Sequence, residues 1–242
     1  MMRKPFSRMV LTSFVMIVAS GAALRAQDAK GPYPKMAPLD QYLMDRDAEI
    51  TLARSAAPES ISQDARVMVL GRHGYETAVT GKNGFVCVVE RSWTAGIDDP
   101  DFWNPKLRGP VCFNPPAARS YLPLTIKKTE LVLAGRSKAE MFAGLQAAFD
   151  KKEIPPLESN AMCFMMSKQA YLSDRDPIWH PHLMIFTPIT DPAAWGAGLA
   201  GTPVMGVKDT EDRLNVFLIP VGRWSDGTVA PVYEPPAPNP VK

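Results

Sequence analysis

The sequence predicts an α+β fold: a mainly antiparallel sheet in a single domain, with helices packed on one face. Three observations predict it. Strand-like runs come first, then one well-signalled helix, then strands again, without the regular strand–helix alternation that builds a parallel sheet. Of 242 residues, 46% are hydrophobic and 21% charged, an ordinary globular composition that buries a core without metals or many cross-links. No internal repeat or linker-like stretch divides residues 27–230, which read as one globular domain.

Residues 1–26 stand apart from that domain. Arg3, Lys4 and Arg8 open the chain, no charge follows from Met9 to Leu24, and small residues cluster at Ala22, Ala23 and Ala26. A basic start, an apolar middle and a small-residue zone, in that order, make a Sec-type signal peptide. Cleavage is expected after Ala26, with Ala23 as the alternative. The uncharged run falls short of the ~20 residues a membrane-spanning helix needs, which argues for a leader over an anchor. The protein is therefore expected to be exported, periplasmic or secreted. The leader removes four of 27 basic residues and no acids, leaving 23 Lys and Arg against 25 Asp and Glu, a net charge of −2. A near-neutral chain without a basic stripe has no electrostatic footprint for nucleic acid. No second apolar run is long enough to span a membrane after cleavage.

Residues 27–38 read as a mobile entry. Leu39 to Ala56 reads as a helix, with Leu39, Tyr42, Leu43, Ile50 and Ala53 near one face and Pro58 as its stop. ARVMVLG (65–71) is a short apolar run. YETAVT (75–80) and FVCVVER (85–91) flank GKNG (81–84) and read as a hairpin, since Asn83-Gly84 suits positive φ. Residues 92–116 show no period and read as a long loop, held on the body by Trp93, Phe102 and Trp103. Residues 117–136 suit either a strand or a short helix. Ser137 and Glu140 form a capping box, opening a helix whose face carries Phe142, Leu145 and Phe149, with Met141 and Ala148 beside them. Pro155-Pro156 ends it. Strands follow at 161–167, 182–188, 202–207 and 213–222, with LMIF and NVFLI apolar enough to be buried on both sides. DTED (209–212) turns between the last two. Residues 231–242 hold five prolines and read as a disordered, extended tail.

Export places Cys87, Cys112 and Cys163 where thiols oxidise. A Cys87–Cys112 disulfide is predicted, worth about 3.5 kcal/mol on a chain-entropy model. Cys163, in the apolar run AMCFMM, is expected to stay a buried thiol.

His180-Pro181-His182 is the one spacing that suggests a metal. In an extended chain residues i and i+2 face the same way about 6–7 Å apart, within reach of one ion. Pro181 keeps His180 extended. His73 is the remaining histidine and the third candidate ligand, with Glu76, Glu90, Asp174 and Asp176 as carboxylate alternatives. Zinc suits such a set. Copper would draw on Met162, Cys163, Met165 and Met166, but strand alternation points these sulfurs both ways. Gly196 to Gly201 spells G-x-G-x-x-G, yet no strand–helix junction surrounds it, so it reads as a surface loop. The carboxylate pairs Asp98-Asp99, Asp174 and Asp176, and Glu211-Asp212 read as solvated turns. No nucleophile elbow, H-E-x-x-H or phosphate loop is present in the sequence. The functional expectation is a non-catalytic binding or envelope-associated factor, partnered by a small molecule or an envelope component. The alternative is a metal-dependent hydrolase with His180 and His182 as ligands.

Overall fold

The computed structural model describes residues 32–175 and 180–232. The predicted leader, most of the proline-rich tail, and Asp176 lie outside the described residues. In chain order the elements are α1 (Arg46–Arg54), α2 (Glu59–Ser62), β1 (Arg66–Gly71), β2 (Gly74–Val79), β3 (Val86–Glu90) and β4 (Gly109–Phe113). Then come α3 (Pro115–Ser120), α4 (Leu122–Leu133), α5 (Lys138–Asp150), β5 (Met162–Met165), β6 (His182–Pro188), β7 (Met205–Asp209) and β8 (Leu214–Pro220). One eight-stranded sheet runs in the order β2-β1-β3-β4-β5-β6-β8-β7. Only β1 and β3 pair in parallel; the other neighbours are antiparallel, so the sheet is mixed and mostly antiparallel, an α+β arrangement.

The hairpin in this region is not the one the sequence suggests. β2 folds back on β1 through Arg72-His73, with Gly71 opposite Gly74. The chain then crosses the start of β1 to lay β3 on its other side. The crossing is close: a Cβ at Gly81 would stand 2.1 Å from the backbone nitrogen of Arg66, so only glycine passes. Gly84 does take positive φ, at 79°. Asn83 donates to the Ile61 carbonyl and accepts from the Phe85 amide. The turn chemistry is real, but it serves a crossover to a parallel neighbour.

Helices also lie on both faces, not one. Side chains alternate along β3, and all five of its residues are buried. Val86 and Val88 pack with Val111, Phe113, Leu122, Leu124, Leu145 and Ala148, the side of α3, α4 and α5. Cys87 and Val89 pack with Leu52, Ala53, Ala56 and Ala57, the side of α1. The expected 39–56 helix is broken: a 3-10 turn covers Leu39–Gln41, then Asp45 caps α1 by accepting from the amides of Asp47 and Ala48. A short helix burying Glu49, Leu52 and Ala53, followed by buried Ala56 and Ala57, fits close against the sheet.

Three smaller readings shift. β4 lies inside the stretch read as loop, masked by Pro110, which sits where β5 does not reach: β5 engages only Cys112 and Phe113 of β4. The buried stripe of α5 is Met141, Leu145 and Ala148, one residue round from the expected one, and Phe142 is exposed. Leu183, Met184 and Ile185 of β6 are half-buried, and the main contacts of α1 fall at the other end of the sheet, on β1, β2, β3 and β4. The capping box of Ser137 and Glu140 forms as read. Trp93, Phe102 and Trp103 are buried as read, and the Trp93 indole donates to Thr129 Oγ1 at 3.0 Å.

Two devices hold the sheet centre. Cys87 and Cys112 stand opposite each other in the β3–β4 register and are joined by the disulfide, while Cys163 is a buried thiol. Arg91, fully buried, donates to Glu49 Oε1 at 2.9 Å, to the Tyr42 carbonyl at 2.8 Å and to the Val89 carbonyl. Glu49 Oε1 also accepts from the Leu70 amide at 3.1 Å.

Unfolded but unreduced protein will take one equivalent of iodoacetamide, at Cys163; three adducts by mass spectrometry would refute the bridge. Arg91→Met strands a buried carboxylate and is expected to cost about 3–5 kcal/mol in urea unfolding. The double variant Arg91→Met/Glu49→Leu should recover part of that loss.

Candidate functional site

Burial periodicity on α4 leads to the site. Leu124, Thr125, Lys128, Thr129 and Val132 are all buried, so a lysine lies on the stripe facing the core. A buried ammonium requires a carboxylate. It finds Asp212: Lys128 Nζ donates to Asp212 Oδ2 at 2.6 Å and to the Thr94 carbonyl at 3.1 Å. Burial works against the Lys128 charge, but Asp212 outweighs it and holds the lysine above its ordinary value.

Asp212 is delivered by the β7–β8 turn. Its amide donates to Asp209 Oδ1 at 2.9 Å, and the next residue, Arg213, adopts a left-handed φ of 56°. The turn is as read, but its carboxylate is not solvated. Asp212 is 4% exposed, against the expectation of a charged loop. Beside it, Glu90 Oε1 accepts from Thr125 Oγ1 at 3.0 Å. Burial pushes the Glu90 carboxyl up to about 7, with the Thr125 hydrogen bond pulling the other way.

Asp212 also lines a cavity of about 300 Å³ at the open end of this core. Its walls are Tyr121, Leu124, Phe149, Ile154, Leu157 and Leu214, with Pro155 and Pro156 at one side. The Tyr121 ring stacks on Phe186 with centroids 3.9 Å apart, which fixes that wall. Arg213 forms a firm lip: it donates to Gln146 Oε1 and Asp150 Oδ1 and lies 5.0 Å over the Phe149 ring. Lys152, exposed, stands at the mouth. Asp212 Oδ1 is buried and has no hydrogen-bond partner among the described residues. The arrangement can seat a small apolar molecule.

Of the sequence-predicted metal candidates Glu90 lies at this site; the other described ones are elsewhere, and they do not gather. His73 is exposed in the β1–β2 turn. His182 begins β6, and β3, β4 and β5 stand between β1 and β6, a separation on the order of 20 Å at ordinary strand spacing. His182 is buried, its Nδ1 donates to the His180 carbonyl at 2.9 Å, and burial pulls the ring down to about 4. Among the described residues, no group of three or more His, Cys, Asp or Glu is placed to hold a metal ion. Glu76 pairs with Arg46, and Asp174 accepts from the Tyr33 and Tyr171 hydroxyls. Cys163 and Met165 join the buried core, and burial pushes the Cys163 thiol well up. The glycine-rich stretch is a loop after a 3-10 turn at Pro192–Trp195 and leads into β7.

No family model, curated protein or solved structure matches this chain.

Glu90 and His182 give opposite pH slopes. The folded state raises Glu90 from 4.5 to about 7, so folding retains its proton longer and stability falls as pH rises across that window. The folded state lowers His182 from 6.5 to about 4, so the unfolded chain takes the proton first and stability falls as pH drops across that window. Each slope is worth up to about 3 kcal/mol. Glu90→Gln should gain on the wild type as pH rises from 4.5 to 7, and His182→Gln should gain on it as pH falls from 6.5 to 4, in urea titrations.

Proposed function

We propose that the protein is an exported binding factor that takes a small apolar molecule in the cavity beside α4 and α5. One observation carries this reading: a cavity of about 300 Å³, walled by apolar side chains, is bordered by a carboxylate buried inside the core. That volume lies at the lower end of ordinary ligand sites, about 300–1,000 Å³. Export is supported by the leader pattern and by the Cys87–Cys112 bridge, which matures where thiols oxidise. No helix among the described residues is long and apolar enough to cross a membrane. The metal-dependent hydrolase reading draws on the His180 and His182 spacing alone; His73 stands apart from that pair, and Nδ1 of His182 is engaged with backbone.

The test is titration with N-phenyl-1-naphthylamine, whose fluorescence rises in apolar sites. One saturable site with a micromolar dissociation constant, on the order of −8 kcal/mol, is expected. Leu157→Trp, a half-buried wall residue enlarged into the cavity, should weaken binding at least tenfold while circular dichroism stays unchanged. Absence of saturation, or equal binding by the Leu157→Trp variant, overturns the reading.

A further inference from the structure

The polar end of the ligand can be read from the residues that border the cavity, a reading that rests on the cavity being the binding site. Among the described residues, three other than glycine adopt a left-handed φ: Lys152 at 60°, Asn160 at 64° and Arg213 at 56°. Asparagine tolerates that conformation, whereas longer side chains are disfavoured in it. The two disfavoured residues are both cations, and both line the cavity. Lys152 stands just past the end of α5. Its amide donates to the Phe149 carbonyl at 3.0 Å, and the Glu153 amide donates to the Ala148 carbonyl at 2.9 Å. That pair of bonds makes the helix-ending turn in which glycine is the usual residue at this position. Stability alone favours glycine at 152, yet the chain carries an exposed lysine there.

The acids around this border are already engaged. Asp212 is neutralised by Lys128 inside the core, Asp150 pairs with Arg213, Glu153 with Lys127 at 3.0 Å and Glu158 with Arg119 at 2.7 Å. Glu211 turns away and accepts from the Ile97 amide at 3.1 Å. Ser120 gives its hydroxyl to the Pro116 carbonyl at 2.8 Å. Lys152 has no ion-pair partner among the described residues, and Arg213, whose Nε and Nη2 go to Gln146 and Asp150, has Nη1 left over. The border therefore carries one unmatched cation and spare donors. A cationic ligand is repelled there, and a neutral one gains no charge complement. We infer that the cavity takes an amphiphile bearing a single carboxylate, its apolar body packed between Tyr121, Phe149 and Leu157 and its head at Lys152 and Arg213. Ammonium and guanidinium groups both donate to carboxylate oxygens, in charge-assisted hydrogen bonds. Because both side chains are exposed, the head keeps part of its water and avoids the cost of burying a charge.

The experiment displaces N-phenyl-1-naphthylamine from the wild-type protein with octanoate, 1-octanol and octylamine at neutral pH and low ionic strength. The three share one alkyl chain and differ in head charge. Octanoate is expected to displace the dye at least tenfold more effectively than 1-octanol, with octylamine weakest, and added salt should narrow the gap. Lys152→Gly removes the charge and relaxes the left-handed turn. It should hold or raise the melting temperature while bringing octanoate down to the affinity of 1-octanol. Lys152→Arg keeps the charge and should keep the preference. Equal displacement by octanoate and 1-octanol from the wild type, a preference for octylamine, or an octanoate preference that survives in Lys152→Gly would each overturn the carboxylate assignment and leave the cavity reading intact. Failure of the dye to bind, or of all three probes to displace it, would overturn both.

Discussion

A guanidinium placed beyond the reach of water has to be met by protein on every side, and Arg91 is met by three parts of the chain, which pass the link to two more. Its donors reach Glu49 on α1, the Tyr42 carbonyl after the first 3-10 turn, and Val89 on its own strand. Glu49 passes the link to β1 through the Leu70 amide, and the Tyr42 hydroxyl passes it to the Trp103 carbonyl at 2.8 Å in the long loop. Desolvating this pair is costly, so it persists only where its partners are fixed. The consequence is topological. α1 has to sit on the face that Arg91 points to, and the loop after β3 has to fold back over the sheet end.

Glu90 and Arg91 make the division between faces visible in two adjacent residues. Strand alternation sends Arg91 to the side of Cys87 and Val89, against α1, and Glu90 to the side of Val86 and Val88, against α4. Each then anchors its own buried polar group. On one side an arginine and a glutamate close upon each other, with backbone groups completing the set. On the other, Glu90 takes the Thr125 hydroxyl, while Lys128 nearby turns to Asp212. The disulfide lies three residues from Glu90 on the same strand, at the most buried part of the sheet. The cavity therefore opens from a core that is held firmly on the strand side and delivered by a turn on the other.

Much of this was legible in local sequence, and the misses share a cause. The capping box, the Asn83-Gly84 turn, the Cys87–Cys112 bridge and most strands depend on residues near each other, or on a pairing that few cysteines allow. The partner of β2 was not legible, because glycine chemistry at 81–84 serves a crossover as well as a hairpin. β4 was hidden by Pro110, tolerable only because β5 pairs further along. The candidate site was least legible of all. Lys128 and Asp212 lie 84 residues apart, and Asp212 sits in a run of acids that resembles any solvated turn. The signal was on the other partner: the 3.6-residue stripe of α4 carries a lysine inward, and that alone calls for a buried acid somewhere. His180-Pro181-His182 drew attention through spacing, yet one of its rings is taken up by the backbone carbonyl two residues before it.

As a stabilising device the Lys128–Asp212 pair is a poor one. Ion pairs buried this deeply are often no better than apolar residues of the same volume, and Leu124, Val132 and Leu214 show that this core accepts such residues nearby. It is also incompletely satisfied, with one carboxylate oxygen unmet by protein among the described residues. The Arg91–Glu49 pair, by contrast, is built into backbone on every side. Two buried ion pairs on opposite faces of one strand end thus differ in a way that stability does not explain. The one that borders a cavity is the one left with a carboxylate oxygen unmet among the described residues.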